Sequence, residues 1–181
     1  SQRVAMVVRD LLAFSRQDER FAPVDLNSIA EQAERLVEHE FRMNGVEVKH
    51  EYAEHLPSIV GSSNMLQQAL LNLLLNARDA MAGGGCITLR TQPKDGNVLL
   101  SCNDTGEGIP NDRLGRIFDA FYTTKGVGKG VGLGLYICQR VVQEHNGHIA
   151  VESRVGEGST FTISLPLSGQ DSVQEAGVSR S

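Results

Sequence analysis

Val4, Val7, Val8, Leu11 and Leu12 recur at i, i+3, i+4, i+7 and i+8, the spacing of a helix with one apolar stripe. The polar run Arg16-Gln17-Asp18-Glu19-Arg20 leads to Pro23, and the helix stops before it, since proline lacks an amide donor and restricts the residue preceding it. Asn27 or Ser28 caps a second helix running to about Phe41. Val46, Val48, His50 and Tyr52 alternate as in a half-buried strand, and Ile59-Val60 makes a short further strand. Ser62, Ser63 or Asn64 caps a long helix in which Leu66, Ala69, Leu70, Leu73, Leu74, Ala77 and Met81 keep the helical period. That helix is predicted to end at Gly83-Gly84-Gly85. Strands over 87–91 and 98–102 flank the turn Pro93-Lys94-Asp95-Gly96-Asn97, an antiparallel pair. A helix fits 131–145, closed by Asn146-Gly147, and strands over 149–153 and 160–165 are joined across Gly156-Glu157-Gly158.

These elements predict an α/β (α+β) fold: a two-layer sandwich of a mixed, mostly antiparallel sheet with helices on one face, preceded by one helix. Three regions follow: the opening helix at 1–22, the body at 23–167, and a tail at 168–181. The tail is mostly Ser, Gly, Gln and acidic residues without periodicity, so it is expected to be disordered.

Composition narrows the function classes. A chain of 181 residues, 40% hydrophobic and 22% charged, suits one soluble globular domain with an appendage. Its net charge of −5 argues against a nucleic-acid partner, which calls for a basic face. Cys86, Cys102 and Cys138 are odd in number and far apart, and read as small buried hydrophobes of a reducing compartment. No apolar run reaches the ~20 residues a bilayer span needs, and no signal peptide opens the chain. The expected location is cytoplasmic, with a membrane anchor elsewhere in a longer parent still open.

Several clusters carry chemistry. Asn72 and Asn76 lie four apart on the long helix, one turn apart on one face. Two amides on an apolar helix need partners, as network residues or as ligands. Asp104-Thr105-Gly106-Glu107-Gly108 follows an apolar strand, and its glycines let a ligand approach closely. Taken alone, D-x-G-x-G serves equally as a turn or a calcium loop, although Glu107 is the one other acidic ligand nearby. The segment 126–134 holds five glycines and runs into a helix, whose free amides and positive dipole end suit phosphates. Lys125 and Lys129 add charge there. A Walker loop is excluded because Gly130 follows Lys129, and no G-x-G-x-x-G is present for a Rossmann cofactor site. Phe118 and Phe121 taken alone read as plain core.

Four stretches in order, Asn72 to Ala80, Asp104 to Gly108, Phe118 to Lys125 and Gly130 to Leu135, together resemble the ATP-binding catalytic domain of sensor histidine kinases. That domain belongs to the superfamily shared with gyrase-type ATPases and has a Bergerat-type fold. The resemblance implies ATP and Mg2+ as ligands, with Asn76 coordinating the metal. It implies that Asp104 accepts a hydrogen bond from the adenine amine while Gly106 and Gly108 leave room for the purine. Phe118 and Phe121 mark the base of an ATP lid whose flexible part begins at Thr123, Thr124 and Lys125 and includes Lys129. Asn72, Asp79, Ala80, Ile109, Gly130, Val131, Gly132, Leu133, Gly134, Leu135 and Thr160 complete the implied ATP-binding positions. The implied partners are the dimerisation and phosphoacceptor domain of the parent kinase and a response regulator receiver domain. The opening helix resembles the second helix of the dimerisation hairpin, and its stripe suits a homodimer.

Two features depart from the family's usual pattern, and a third position separates kinases from the hydrolysing members of the superfamily. None of His39, His50, His55, His145 and His148 has the acidic residue and proline of a phosphoacceptor motif, so each reads as exposed or structural. The phosphorylated histidine is therefore expected upstream of Ser1. Asp79 stands where many members carry a phosphate-binding lysine; it reads as a network residue beside Asp104, leaving phosphate to Lys125, Lys129 or Arg78. Asn72 stands where hydrolysing members carry a glutamate base, and an amide cannot take the proton from water. The expected activity is transfer of the γ-phosphoryl group to a histidine in two-component signalling. The alternatives are a gyrase-like or mismatch-repair-like ATPase module and a non-catalytic nucleotide-sensing module.

Overall fold

The computed structural model describes residues 20–124 and 132–167. The opening stripe, Lys125, Lys129, Gly130, Val131 and the tail lie outside the described residues. The elements run β1 (Ala22–Val24), α1 (Leu26–Met43), β2 (Val46–Glu51), β3 (Ile59–Gly61), α2 (Ser63–Asp79), β4 (Gly85–Lys94), β5 (Asn97–Asp104), α3 (Asn111–Leu114), α4 (Gly134–Glu144), β6 (His148–Arg154) and β7 (Gly158–Pro166).

Five strands form one sheet in the order β2-β4-β5-β7-β6. β2 runs parallel to β4 and the other neighbours pair antiparallel, which is the mixed, mostly antiparallel sheet expected. Registers align Leu89 with Cys102 and Phe161, and Thr91 with Leu100 and Ile163, so one face of the central strands is continuously buried. On β5 the buried positions are Val98, Leu100, Cys102 and Asp104, every second residue. The period that buries three apolar side chains thus also carries a carboxylate to the helix side of the sheet, at the strand's end.

The helix layer packs on that face. α1 buries Leu26, Ile29, Ala30, Ala33, Val37 and Phe41, and α2 buries eight residues from Leu66 to Ala77, Asn72 among them. α2 lies between α1 and α4 and is buried on more than one side, which its nearly continuous apolar run foreshadowed. Burying one of its leucines contributes about 1.5–3 kcal/mol. Cys102 and Cys138 are buried in this core and Cys86 is half-buried; burial pushes the Cys138 thiol up to about 12, which leaves it unreactive.

Several boundaries differ from the sequence reading. Asp25, not Asn27 or Ser28, caps α1, accepting from the Asn27 amide (3.1 Å) and the Ser28 hydroxyl (3.0 Å). The Asn27 side chain is engaged instead by Ala53 and Thr91, across the layers. α2 stops at Asp79, short of the three glycines, because the chain turns at once to lay Met81 into the core. α4 begins at Gly134, three residues later than expected. β1 and α3 were not anticipated, being three and four residues long with no measurable period. β1 pairs with β3, so the region boundary expected after residue 22 falls inside a strand of the body.

His145 joins these parts. Its Nε2 accepts from the Ser62 amide (3.0 Å), and its Nδ1–H donates to the Val141 carbonyl (2.7 Å), which defines a neutral tautomer. Phe21 stacks on its ring at 4.6 Å. Burial lowers its pKa from 6.5. As pH falls, the unfolded chain therefore binds the proton first, so this contribution to stability is complete above about pH 6.5 and is lost below it. The melting temperature is expected to drop by a few degrees between about pH 7.5 and about pH 5.5. His145→Gln should flatten that part of the profile, and an unchanged slope would show that another group titrates. Among the described residues no helix is long and apolar enough to cross a membrane.

Candidate functional site

Asp104 ends β5 at 2% exposure, facing the helix layer. Its Oδ1 accepts from the Gly106 amide (2.9 Å), and the Ser159 amide stands close by, opposite Asp104 in the β5–β7 register. Burial raises its pKa from 3.8, against the opposing pull of those two amides. A carboxylate so placed has lone pairs left for a donor that arrives from outside.

The backbone around it is tightly built. Gly158 has φ +109, and a Cβ there would stand 2.0 Å from the Asp104 carbonyl oxygen. Gly108 has φ +75, and its Cβ would stand 2.0 Å from the Arg154 carbonyl oxygen. At both places only glycine permits the approach of the loop to the β6–β7 hairpin. Ala80, at the end of α2, accepts from the Glu107 amide (3.0 Å), and Ile109 donates its amide to Ser153 Oγ (2.7 Å). The loop 104–109 is thereby held between the end of α2 and the hairpin.

α2 supplies the two amides. Asn72 is 7% exposed, and its Nδ2 is buried with no hydrogen-bond partner among the described residues. Its Oδ1 lies 3.5 Å from Gln68 Nε2, a long contact. Gly134, the first residue of α4, faces it: a Cβ added there would sit 3.8 Å from Asn72 Cγ. An orphaned buried donor beside the start of an eleven-residue helix suits an anionic group. Asn76 follows one turn on, half-buried.

Other expected positions sort themselves by geometry. Phe118 is half-buried and packs edge-on against Phe161 (6.3 Å), whereas Phe121 is 70% exposed with φ +66. The two phenylalanines therefore do not share a core role. Phe121 donates its amide to the Gly132 carbonyl (2.9 Å), which closes the base of the segment 125–131. Leu133 is buried, Leu135 half-buried, and Thr123 and Thr124 are exposed at the segment's start. Arg78 donates to Asp79 Oδ1 (2.7 and 3.1 Å) and is paired with Glu40, so two carboxylates already engage it.

Two residues beside the loop are not among the expected ATP-binding positions. Register sets Ser159 opposite Asp104 and Thr160 opposite Asn103, and Thr160 Oγ1 accepts from Asn103 Nδ2 (2.7 Å) on the other face of the sheet. Strand alternation thus makes Ser159, not Thr160, the neighbour of Asp104. Ser153 was likewise missed: a lone serine in a strand gives no signal until pairing sets it beside the loop. Among the described residues no group of three or more His, Cys, Asp or Glu could hold a metal ion.

The arrangement has known counterparts. A family model described as histidine kinase-, DNA gyrase B-, and HSP90-like ATPase matches residues 61–169. The chain is 39% identical over 184 residues to the sensor kinase CckA of Brucella abortus (strain 2308), covering 92% of this chain and 19% of CckA. It spans about a fifth to two fifths of the length of the curated relatives it matches. Its structure superposes on full-length ShkA in complex with AMPPNP with a TM-score of 0.79 at 31% identity, covering 90% of this chain and 35% of that one. It also superposes on histidine kinase ThkA in complex with the response regulator protein TrrA, with a TM-score of 0.73 at 25% identity, over 90% and 47% of the two chains.

Proposed function

Because this chain belongs to the family of histidine kinase-, DNA gyrase B- and HSP90-like ATPases, we propose that it binds ATP with Mg2+ and transfers the γ-phosphoryl group to a histidine of its parent's dimerisation and phosphoacceptor domain. The observation that carries this reading is Asp104, a buried carboxylate backed by the Gly106 amide, at the start of a loop that glycines hold tightly against the neighbouring backbone. Such an acceptor selects adenine, whose exocyclic amine donates, over guanine, which offers a carbonyl at that place.

Asn72 and Asn76 fit the phosphate end. The buried Nδ2 of Asn72 and the amides at the start of α4 offer donors to phosphate oxygens. Asn76 offers an amide oxygen, a hard ligand suited to Mg2+, which when bound neutralises charge on the phosphates. Asn72 cannot act as a general base toward water, so bound ATP is kept for an incoming histidine instead of being hydrolysed. Catalysis is then largely positioning. The likeness to ThkA, solved with TrrA, supports a receiver domain as the next acceptor of the phosphoryl group. In this reading the domain works on the cytoplasmic side, where ATP is available.

The test is transfer in trans. The purified chain with radiolabelled ATP is expected to form no stable phosphohistidine of its own and to hydrolyse ATP at trace rates. Mixed with the acceptor hairpin of its parent it should label that hairpin slowly, since no covalent tether raises the effective concentration. Multiple-turnover hydrolysis by the isolated chain would overturn the kinase reading in favour of a hydrolysing ATPase.

A further inference from the structure

We propose that Ser153, on the edge strand β6, is a positioning residue of the nucleotide site, its hydroxyl holding both ends of the Asp104 loop in binding shape. The inference rests on the ATP reading above. The hydrogen bonds of Ser153 Oγ can be accounted for completely. A hydroxyl has one proton and two lone pairs. The Ile109 amide donates to one lone pair at 2.7 Å. The Gly158 carbonyl, 3.0 Å away, can only accept, so the Ser153 proton goes to it. The Ser159 hydroxyl, 2.8 Å away, then donates to the remaining lone pair. Every bonding capacity of the group is used.

Those bonds reach the two ends of the loop 104–109. Ile109 is held directly. Asp104 is held through Ser159, its partner in the β5–β7 register, whose hydroxyl meets Ser153. The middle of the loop rests on the same hairpin: the Gly156 amide donates to the Glu107 carbonyl (2.8 Å), and Gly108 leaves no space above the Arg154 carbonyl. Removing the Ser153 hydroxyl leaves the Ile109 amide and the Gly158 carbonyl without their partner. It touches neither the core nor α2. The loss should therefore appear at the base-binding end of the site while the phosphate-binding amides stay in place.

The experiment compares Ser153→Ala with Ser153→Thr, which keeps a hydroxyl and tolerates a strand. Calorimetry with Mg-ATP is expected to show Ser153→Ala weakened about five- to tenfold and Ser153→Thr within about twofold of the unmutated chain. Hydrogen exchange of the Ile109 amide should speed up at least about tenfold in Ser153→Ala and stay slow in Ser153→Thr. Should Ser153→Ala unfold, Ser153→Cys, of the same shape but with a feeble donor, carries the same comparison. Unaltered affinity and exchange in Ser153→Ala, or equal losses in both variants, would overturn the assignment. If the unmutated chain binds no ATP, the functional reading fails, while exchange at Ile109 still decides whether Ser153 holds the loop.

Discussion

Replacing Asp104 with alanine is expected to weaken ATP binding by about 1–3 kcal/mol, roughly five- to a hundredfold, while the nucleotide-free fold melts almost where it did before. Both halves have a physical cause. The variant loses the acceptor for the adenine amine in a buried place where water cannot substitute well. It also strands the Gly106 amide, which costs stability. Burial, however, already disfavours this carboxylate in its ionised form, so deleting it relieves a comparable cost. Calorimetry with ATP, and with GTP as the competing base, checks the claim. GTP bound as tightly as ATP by the unmutated chain would take the base-selecting role away from Asp104.

Gly158→Ala should destabilise the fold by about 3 kcal/mol, with a melting temperature lower by about 6–12 °C. Two effects add. The backbone sits at φ +109, where any side chain is strained, and the new Cβ would stand 2.0 Å from the Asp104 carbonyl oxygen and 3.2 Å from the Gly106 nitrogen. Those are main-chain atoms at the end of a central strand and in the loop that follows it, and they cannot swing aside as a side-chain tip would. Gly156→Ala separates the two effects: its φ is +83, but no atom lies within 4 Å of the added Cβ. It should cost only the strain, about 1–2 kcal/mol. Thermal melts of the pair decide the point. Equal melting of the two variants would mean that β5 and β7 do not meet this closely behind the site.

The sequence by itself determined a good deal, because its signals are local. The period of α2 is written in adjacent side chains, and it placed Asn72 and Asn76 on one helix face. The apolar run 98–102 likewise placed Asp104 directly after a strand, although only the structure shows that it faces the core. Glycine-rich runs marked where backbones bend or meet. What only the tertiary structure decided are the relations between segments distant along the chain. The parallel pairing of β2 with β4 and the insertion of β7 between β5 and β6 have no local signature. That insertion puts Ser159 beside Asp104, brings Ser153 under an amide 44 residues away, and leaves Gly108 and Gly158 no alternative residue. The His145 joint spans 83 residues to Ser62, and the start of α4 comes to face the orphaned amide of Asn72 by packing alone. Periodicity sets which face of an element is buried, but which partner lies against that face is chosen by the burial of the whole core and by strand register.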